Sequence, residues 1–150
     1  MKKYLSFLLI GLPTALLSFS SCDKNDDPPK TKTQLLTQST WKFKTATANG
    51  TDVSSSLQTC QKDNLLTFSS GGNGNVNEGP SKCNGADPDN IPFTWAFASG
   101  ETLINVSNPL FTNGATSLTL LSLTETELVV EMLYNPPIGP AITMVITFIH

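Results

Sequence analysis

Residues 141–149, AITMVITFI, set Ile142, Met144, Ile146 and Phe148 against Thr143, Val145 and Thr147 in strict alternation. A period of two places the first set on one face of a β-strand and the second on the other. The same pattern recurs back along the chain. Residues 127–134 carry Leu128, Val130 and Met132 in step, and residues 117–123 carry Leu118 and Leu120. Residues 102–107 offer Ile104 and Val106, and residues 92–98 put Phe93, Trp95 and Phe97 opposite Thr94, Ala96 and Ala98. A weak run covers 74–79. Residues 64–69 hold Leu66 and Phe68, and residues 39–47 set Trp41 and Phe43 against Lys42 and Lys44. The reading is therefore eight strands.

The connections are short and rich in turn residues: Asn49-Gly50, 70–74 (SGGNG), 99–101, 124–126 and 135–140 (NPPIGP). Such turns join sequential antiparallel neighbours in an up-and-down order. Residues 33–40 and 53–62 read as a helical turn each, with Leu35, Leu36 and Leu57 covering an end of the sheet. No internal repeat is evident. Eight such strands either close into a barrel, which removes exposed edges, or split into a two-sheet sandwich.

The first residues do not belong to this fold. Lys2 and Lys3 precede an uncharged, apolar stretch from Leu5 to Phe19, interrupted by Pro13. It is too short for a comfortable span of about 20 residues and reads as an export signal. Ser20 and Ser21 then lead into Cys22. These residues resemble the lipobox of bacterial lipoproteins, with Phe19 where leucine is usual. The resemblance implies that Cys22 becomes the acylated N-terminus. The competing reading is an ordinary secretory signal with a chance cysteine. Asp23, Lys24, Asn25, Asp26, Asp27, Pro28 and Pro29 can bury no apolar surface and read as a solvated tether. An acidic cluster here also resembles the surface-export signal of Bacteroidetes lipoproteins. The expected organisation is a signal at 1–21, a lipidated cysteine and tether at 22–33, and one β domain at 34–150. The expected location is the outer membrane, facing the periplasm or, by preference, the cell surface.

All nine basic residues are lysines, against twelve carboxylates. Removing Lys2 and Lys3 leaves seven lysines and a net charge of −5. No lysine follows Lys82, whereas Asp87, Asp89, Glu101, Glu125, Glu127 and Glu131 do. Nucleic-acid binding needs a basic footprint, which is missing, and phosphate clamps usually employ arginine. With Cys22 acylated, Cys60 and Cys83 remain as an even pair. Export makes a disulfide between them permissible, worth about 3–4 kcal/mol by loop closure. The rival, a two-cysteine metal site, needs further ligands, and the only histidine is His150.

No catalytic constellation stands out. A serine–histidine–acid set would depend on His150 at a chain end expected to fray. Gly71-Gly72-Asn73-Gly74 sits in a hairpin setting rather than between a strand and a helix. Residues 84–90 (NGADPDN) group two carboxylates with amides, as a calcium loop does, but lack the full ligand pattern and read more simply as a self-capping turn. Glu127 and Glu131 should share an outer strand face in water. The expectation is no enzyme, no cofactor and no metal. The aromatic residues Trp41, Phe43, Phe68, Phe93, Trp95, Phe97 and Phe148 either line a ligand cavity or fill the interior, since an eight-stranded barrel is just wide enough for either.

Residues 35–43 (LLTQSTWKF) resemble the first strand of a lipocalin-like domain, where a short helix leads into G-x-W; Ser39 stands for the glycine. Residues 60–68 (CQKDNLLTF), a Gly/Asn turn, Cys83, residues 93–97 (FTWAF) and residues 120–128 (LLSLTETEL) follow in an order similar to lipocalin-like lipoproteins of Bacteroidetes. The resemblance spans 33–150. It favours the all-β, eight-stranded antiparallel barrel over the β-sandwich, and implies binding of a small apolar ligand. Many lipocalins pack an arginine across the first-strand tryptophan. With no arginine here, Trp41 needs another cover, such as Leu35 or Phe148. The alternative function is a filled barrel whose outer surface has a structural or protein-binding role, with the membrane reached through the N-terminal lipid.

Overall fold

The computed structural model describes residues 28–150. The signal reading, Cys22 and the first part of the tether lie outside these residues. The chain enters through helix α1 (Lys32–Thr37), which begins two residues before the expected start of the β domain. Thr31 caps it: its hydroxyl accepts from Gln34 N, while Gln34 Oε1 accepts from Thr31 N. This reciprocal pair satisfies two otherwise orphan amides, so a helix this short can persist.

Nine strands follow: β1 (Trp41–Ala48), β2 (Thr51–Asp52), β3 (Leu65–Phe68), β4 (Asn73–Asn77), β5 (Asn90–Ala98), β6 (Leu103–Val106), β7 (Ser117–Leu123), β8 (Glu127–Tyr134) and β9 (Ile142–Ile149). A 3₁₀ turn (Ser54–Ser56) and helix α2 (Thr59–Lys62) lie between β2 and β3. From β3 onward each strand pairs antiparallel with its successor, and β9 returns to β1 from Lys42↔Ile149 to Ala48↔Met144. The result is a closed eight-stranded up-and-down barrel; β2 is an added two-residue strand on the end of β1. Asn49 and Gly50 make the β1–β2 turn with φ of 50° and 78°. Positive φ at both central positions is the hairpin geometry that an Asn-Gly pair favours.

The alternating sets face inward as expected. Leu128, Val130, Met132, Met144, Ile146, Phe148, Phe93, Trp95, Ile104 and Leu118 are all buried. Strand β1 departs from simple alternation. Trp41 and Phe43 point in, but a register shift between Phe43 and Thr45 hands the inner face to Ala46 and Ala48. A bulge reverses side-chain facing beyond it. The second half of β1 therefore presents only small side chains to the interior.

The two ends of the barrel differ. Helix α1 covers the end where β1 begins: Leu36 is fully buried, Lys32 Nζ donates to Glu101 O, and Gln38 Nε2 donates to Glu125 O. Trp41 Nε1 donates to Leu36 O at 2.8 Å. His150 stacks on Trp41 with ring centroids 3.9 Å apart, while its Nδ1 lies 3.2 Å from Thr40 O. The cover over Trp41 thus includes the histidine that was expected to fray, together with Leu36. β1 and β3 pair only at this α1 end, through Trp41↔Leu66 and Lys42↔Leu65, and no ladder joins them toward the opposite end. There the flank of β1 is held by the 51–56 segment, through Val53 N to Ala46 O and Ala46 N to Ser54 Oγ, both 2.9 Å. This end is the mouth.

Candidate functional site

A cavity of about 550 Å³ lies at the mouth. One wall comes from the segment between β2 and β3, through Val53, Ser56, Leu57, Gln58 and Gln61. The last hairpin supplies Tyr134, Pro136, Pro137, Ile142 and Met144, and the β6–β7 loop supplies Thr112 and Asn113. Cys83 completes the lining and is disulfide-bonded to Cys60, with Cα atoms 5.1 Å apart. The bridge ties α2 to the 78–89 loop. A wall without a continuous ladder to β3 is thereby held covalently. The volume falls in the range of small-molecule sites, roughly 300–1,000 Å³.

No charged side chain lines this cavity. Its apolar surface is Val53, Leu57, Ile142, Met144 and the two prolines, and its polar groups are hydroxyls and amides. Gln61 is the most enclosed of these amides, at 9 % exposure. Its Oε1 accepts from Gln58 N at 3.1 Å, which orients the side chain at the start of α2. Its Nε2 makes no hydrogen bond to another described residue and is open to solvent.

Carboxylates gather beside the disulfide but outside the lining. Glu78 is buried at 6 % exposure, with the Asn64 side-chain amide beside its carboxyl. Burial first, and then the nearby Asp87 and Asp63, push its carboxyl above the usual glutamate range, against opposing pulls from Asn64 and Lys82. Among the described residues no group of three metal-ligating side chains forms.

Residues 38–130 match the family model described as a lipocalin-like domain. The chain belongs to the lipocalin-like domain family. No curated protein matches it. The closed barrel agrees with what the sequence resemblance implied, the Cys60–Cys83 bridge agrees with the even pair of cysteines read from the sequence, and such a barrel is generally a non-enzymatic, ligand-binding fold.

None of the seven aromatics singled out in the sequence lines the mouth cavity of this lipocalin-like domain. Trp41, Phe68, Phe93, Trp95 and Phe148 are buried in the core, and Phe43 and Phe97 pack against it. Phe68 meets both Phe93 and Trp95 edge-on, at 5.3 and 5.7 Å, and Trp95 meets Phe97 at 5.4 Å. Trp95 Nε1 donates to Ser69 O and Asn73 O. These rings fill the lower barrel.

Two features of the site had little sequence signal. Leu110 and Phe111, on the β6–β7 loop, are buried, and Phe111 sits 5.9 Å from Phe148 and 6.4 Å from Phe43. Phe111 therefore joins the barrel core from the loop that supplies Thr112 and Asn113 to the cavity. An apolar pair after Asn108-Pro109 was the available clue. The other feature is Gln61, whose cue was only that it neighbours Cys60. In the 84–90 loop Asn84 Oδ1 accepts from Ala86 N, Asp87 Oδ2 accepts from Asn84 N, and Asp89 pairs with Lys82. Those side chains cap their own turn. Glu127 pairs with Lys44 on the outer face.

Proposed function

We propose that this lipocalin-like protein is an envelope-anchored binder of a small apolar ligand, which occupies the cavity at the barrel mouth. One observation carries the reading. A barrel stoppered at one end by α1, Trp41 and His150 keeps, at its other end, a half-open space of about 550 Å³ with mainly apolar walls and no charged side chain. Burial of apolar ligand surface against Leu57, Ile142 and Met144 supplies the driving force, at about 25 cal/mol per Å² removed from water. Placement at the mouth rather than among the barrel aromatics follows from the packing of those rings. Anchoring rests on Cys22, whose acylation would fix the chain to the outer membrane, with the cell surface the favoured side. Two or more acyl chains anchor firmly where one does not. The tether joins the domain at α1, on the closed end, which leaves the mouth end clear of the join.

A second reading, a partner-binding role for the outer surface, draws on Ile138, which is 92 % exposed at the tip of the β8–β9 hairpin beside the mouth. Titration with N-phenyl-1-naphthylamine separates the two. The ligand reading expects saturable fluorescence enhancement that Leu57→Trp, filling the cavity, abolishes without loss of the folded circular dichroism signal. Enhancement that is absent, or unchanged in the variant, would favour the surface role. Cys22→Ser should move the protein from the membrane to the soluble fraction; retention at the membrane would refute the anchor.

A further inference from the structure

Resting on the reading of the mouth cavity as a ligand site, we infer that its ligand is uncharged and carries a hydrogen-bond acceptor, held by the Gln61 side-chain amide. Three observations converge. The lining has no acid, lysine, arginine or histidine. The described lysines are engaged or placed elsewhere: Lys30 on Glu125, Lys32 on Glu101 O, Lys44 on Glu127, Lys82 on Asp89, Lys62 on Ser54 O, and Lys42 exposed on β1. A carboxylate or phosphate entering the cavity would lose its water with no cation to replace it, and an ammonium would find no carboxylate on the wall.

The third observation is Gln61 itself. Its side chain is about nine-tenths buried, its Oε1 is committed to Gln58 N, and its Nε2 is a donor without a protein acceptor on the cavity wall. In the free protein water reaches this donor; an apolar ligand that covered it without supplying an acceptor would leave it desolvated and unpaired, so a ligand that carries an acceptor is favoured. A ketone, ester, ether or amide oxygen on an apolar body satisfies both the wall and the amide. Thr112, Asn113 and Tyr134 lie across the same space and accommodate a second uncharged polar group.

Matched probes test this. 2-Nonanone and nonanoate share a chain length and differ in charge, and each is competed against N-phenyl-1-naphthylamine on the full mature domain at pH 8. The wild type should take up the ketone about tenfold more tightly than the carboxylate, the penalty of an unpaired buried charge. Gln61→Glu keeps the oxygen that accepts from Gln58 N and exchanges the donor for a second acceptor; Gln61→Met removes the amide without adding charge. Both should weaken the ketone about fivefold more than they weaken the dye, with the folded circular dichroism signal retained, a selectivity that loss of fold would not produce. Nonanoate competing as well as the ketone would overturn the neutral-ligand claim. Unchanged ketone affinity in both variants would overturn the role of Gln61. Absence of any dye uptake by the wild type would instead overturn the underlying reading of the cavity.

Discussion

Replacing Cys60 and Cys83 together by alanine removes the covalent tie between α2 and the 78–89 loop. The two residues are 23 positions apart. Loop closure over that length is worth ~3.4 kcal/mol at 25 °C in the chain-entropy estimate. Alanine is the suitable replacement because Cys60 is buried, at 8 % exposure, and serine would put an unpaired hydroxyl there. Against a typical total of about 5–15 kcal/mol the loss is large but leaves most such domains folded at 25 °C. Urea unfolding followed by Trp41 and Trp95 fluorescence reads it directly. With a slope of about 1.5 kcal/mol/M, the midpoint should fall by about 2 M, and chemical reduction of the wild type should reproduce the shift. The cavity should suffer too, because Leu57, Gln58 and Gln61 flank Cys60 and Cys83 itself lines the space. Binding of N-phenyl-1-naphthylamine should weaken under conditions where the barrel is still folded. A midpoint change below about 0.5 M, with the slope preserved, would refute the loop-closure reasoning.

Three further outcomes follow from the packing and charge of the domain. Trp41→Phe deletes the donor to Leu36 O and should cost about 1–3 kcal/mol in urea unfolding, while His150→Ala costs about 0.5–1.5 kcal/mol; the double variant should lose less than the sum, since both changes strike one stack, and strict additivity would argue against it. Gly74→Ala would drive a methyl into the Phe93 ring and to 2.8 Å from Thr67 O, so thermal unfolding should register a loss of about 1–3 kcal/mol, and a neutral result would mean that Phe93 yields freely. Glu78 has its carboxyl pushed up by burial and by Asp87 and Asp63; the folded state then holds the proton more tightly than the unfolded one, stability falls as pH rises from the ordinary glutamate value through the raised one, and the penalty is complete above it. Glu78→Gln should accordingly stabilise the protein at neutral pH and change little below the ordinary glutamate range, as pH-dependent urea midpoints would report; destabilisation at neutral pH would reverse the assignment.

The barrel was legible because its signal is local. Ile142, Met144, Ile146 and Phe148 must share a face at any register, and Asn49-Gly50 specifies a turn whatever surrounds it. The cavity was not, for reasons that are equally physical. Alternation says that a ring points inward but not whether it meets another ring or empty space, so Phe68, Phe93 and Trp95 read alike as lining or filling. The bulge after Phe43 moves Ala46 and Ala48 onto the inner face through a shift that only the β1–β9 pairing reveals. Phe111 reaches the core from a loop, without periodicity. His150 covers Trp41 from 109 residues away, and that contact depends on barrel closure rather than on either local sequence. Gln61 gains its role from burial beside the Cys60–Cys83 bridge, and pattern reading ranks a lone glutamine in a short helix as solvent-facing.

The most direct measurement is native mass spectrometry of the protein gently extracted from its own envelope, set beside the same sample denatured and beside the Leu57→Trp variant. A reproducible small organic mass, lost on denaturation, distinct from any lipid on Cys22 and missing from the variant, is the predicted result. A mass that the filled variant retains, or a wild type that carries none even with 2-nonanone supplied in excess, would contradict a ligand in the mouth cavity.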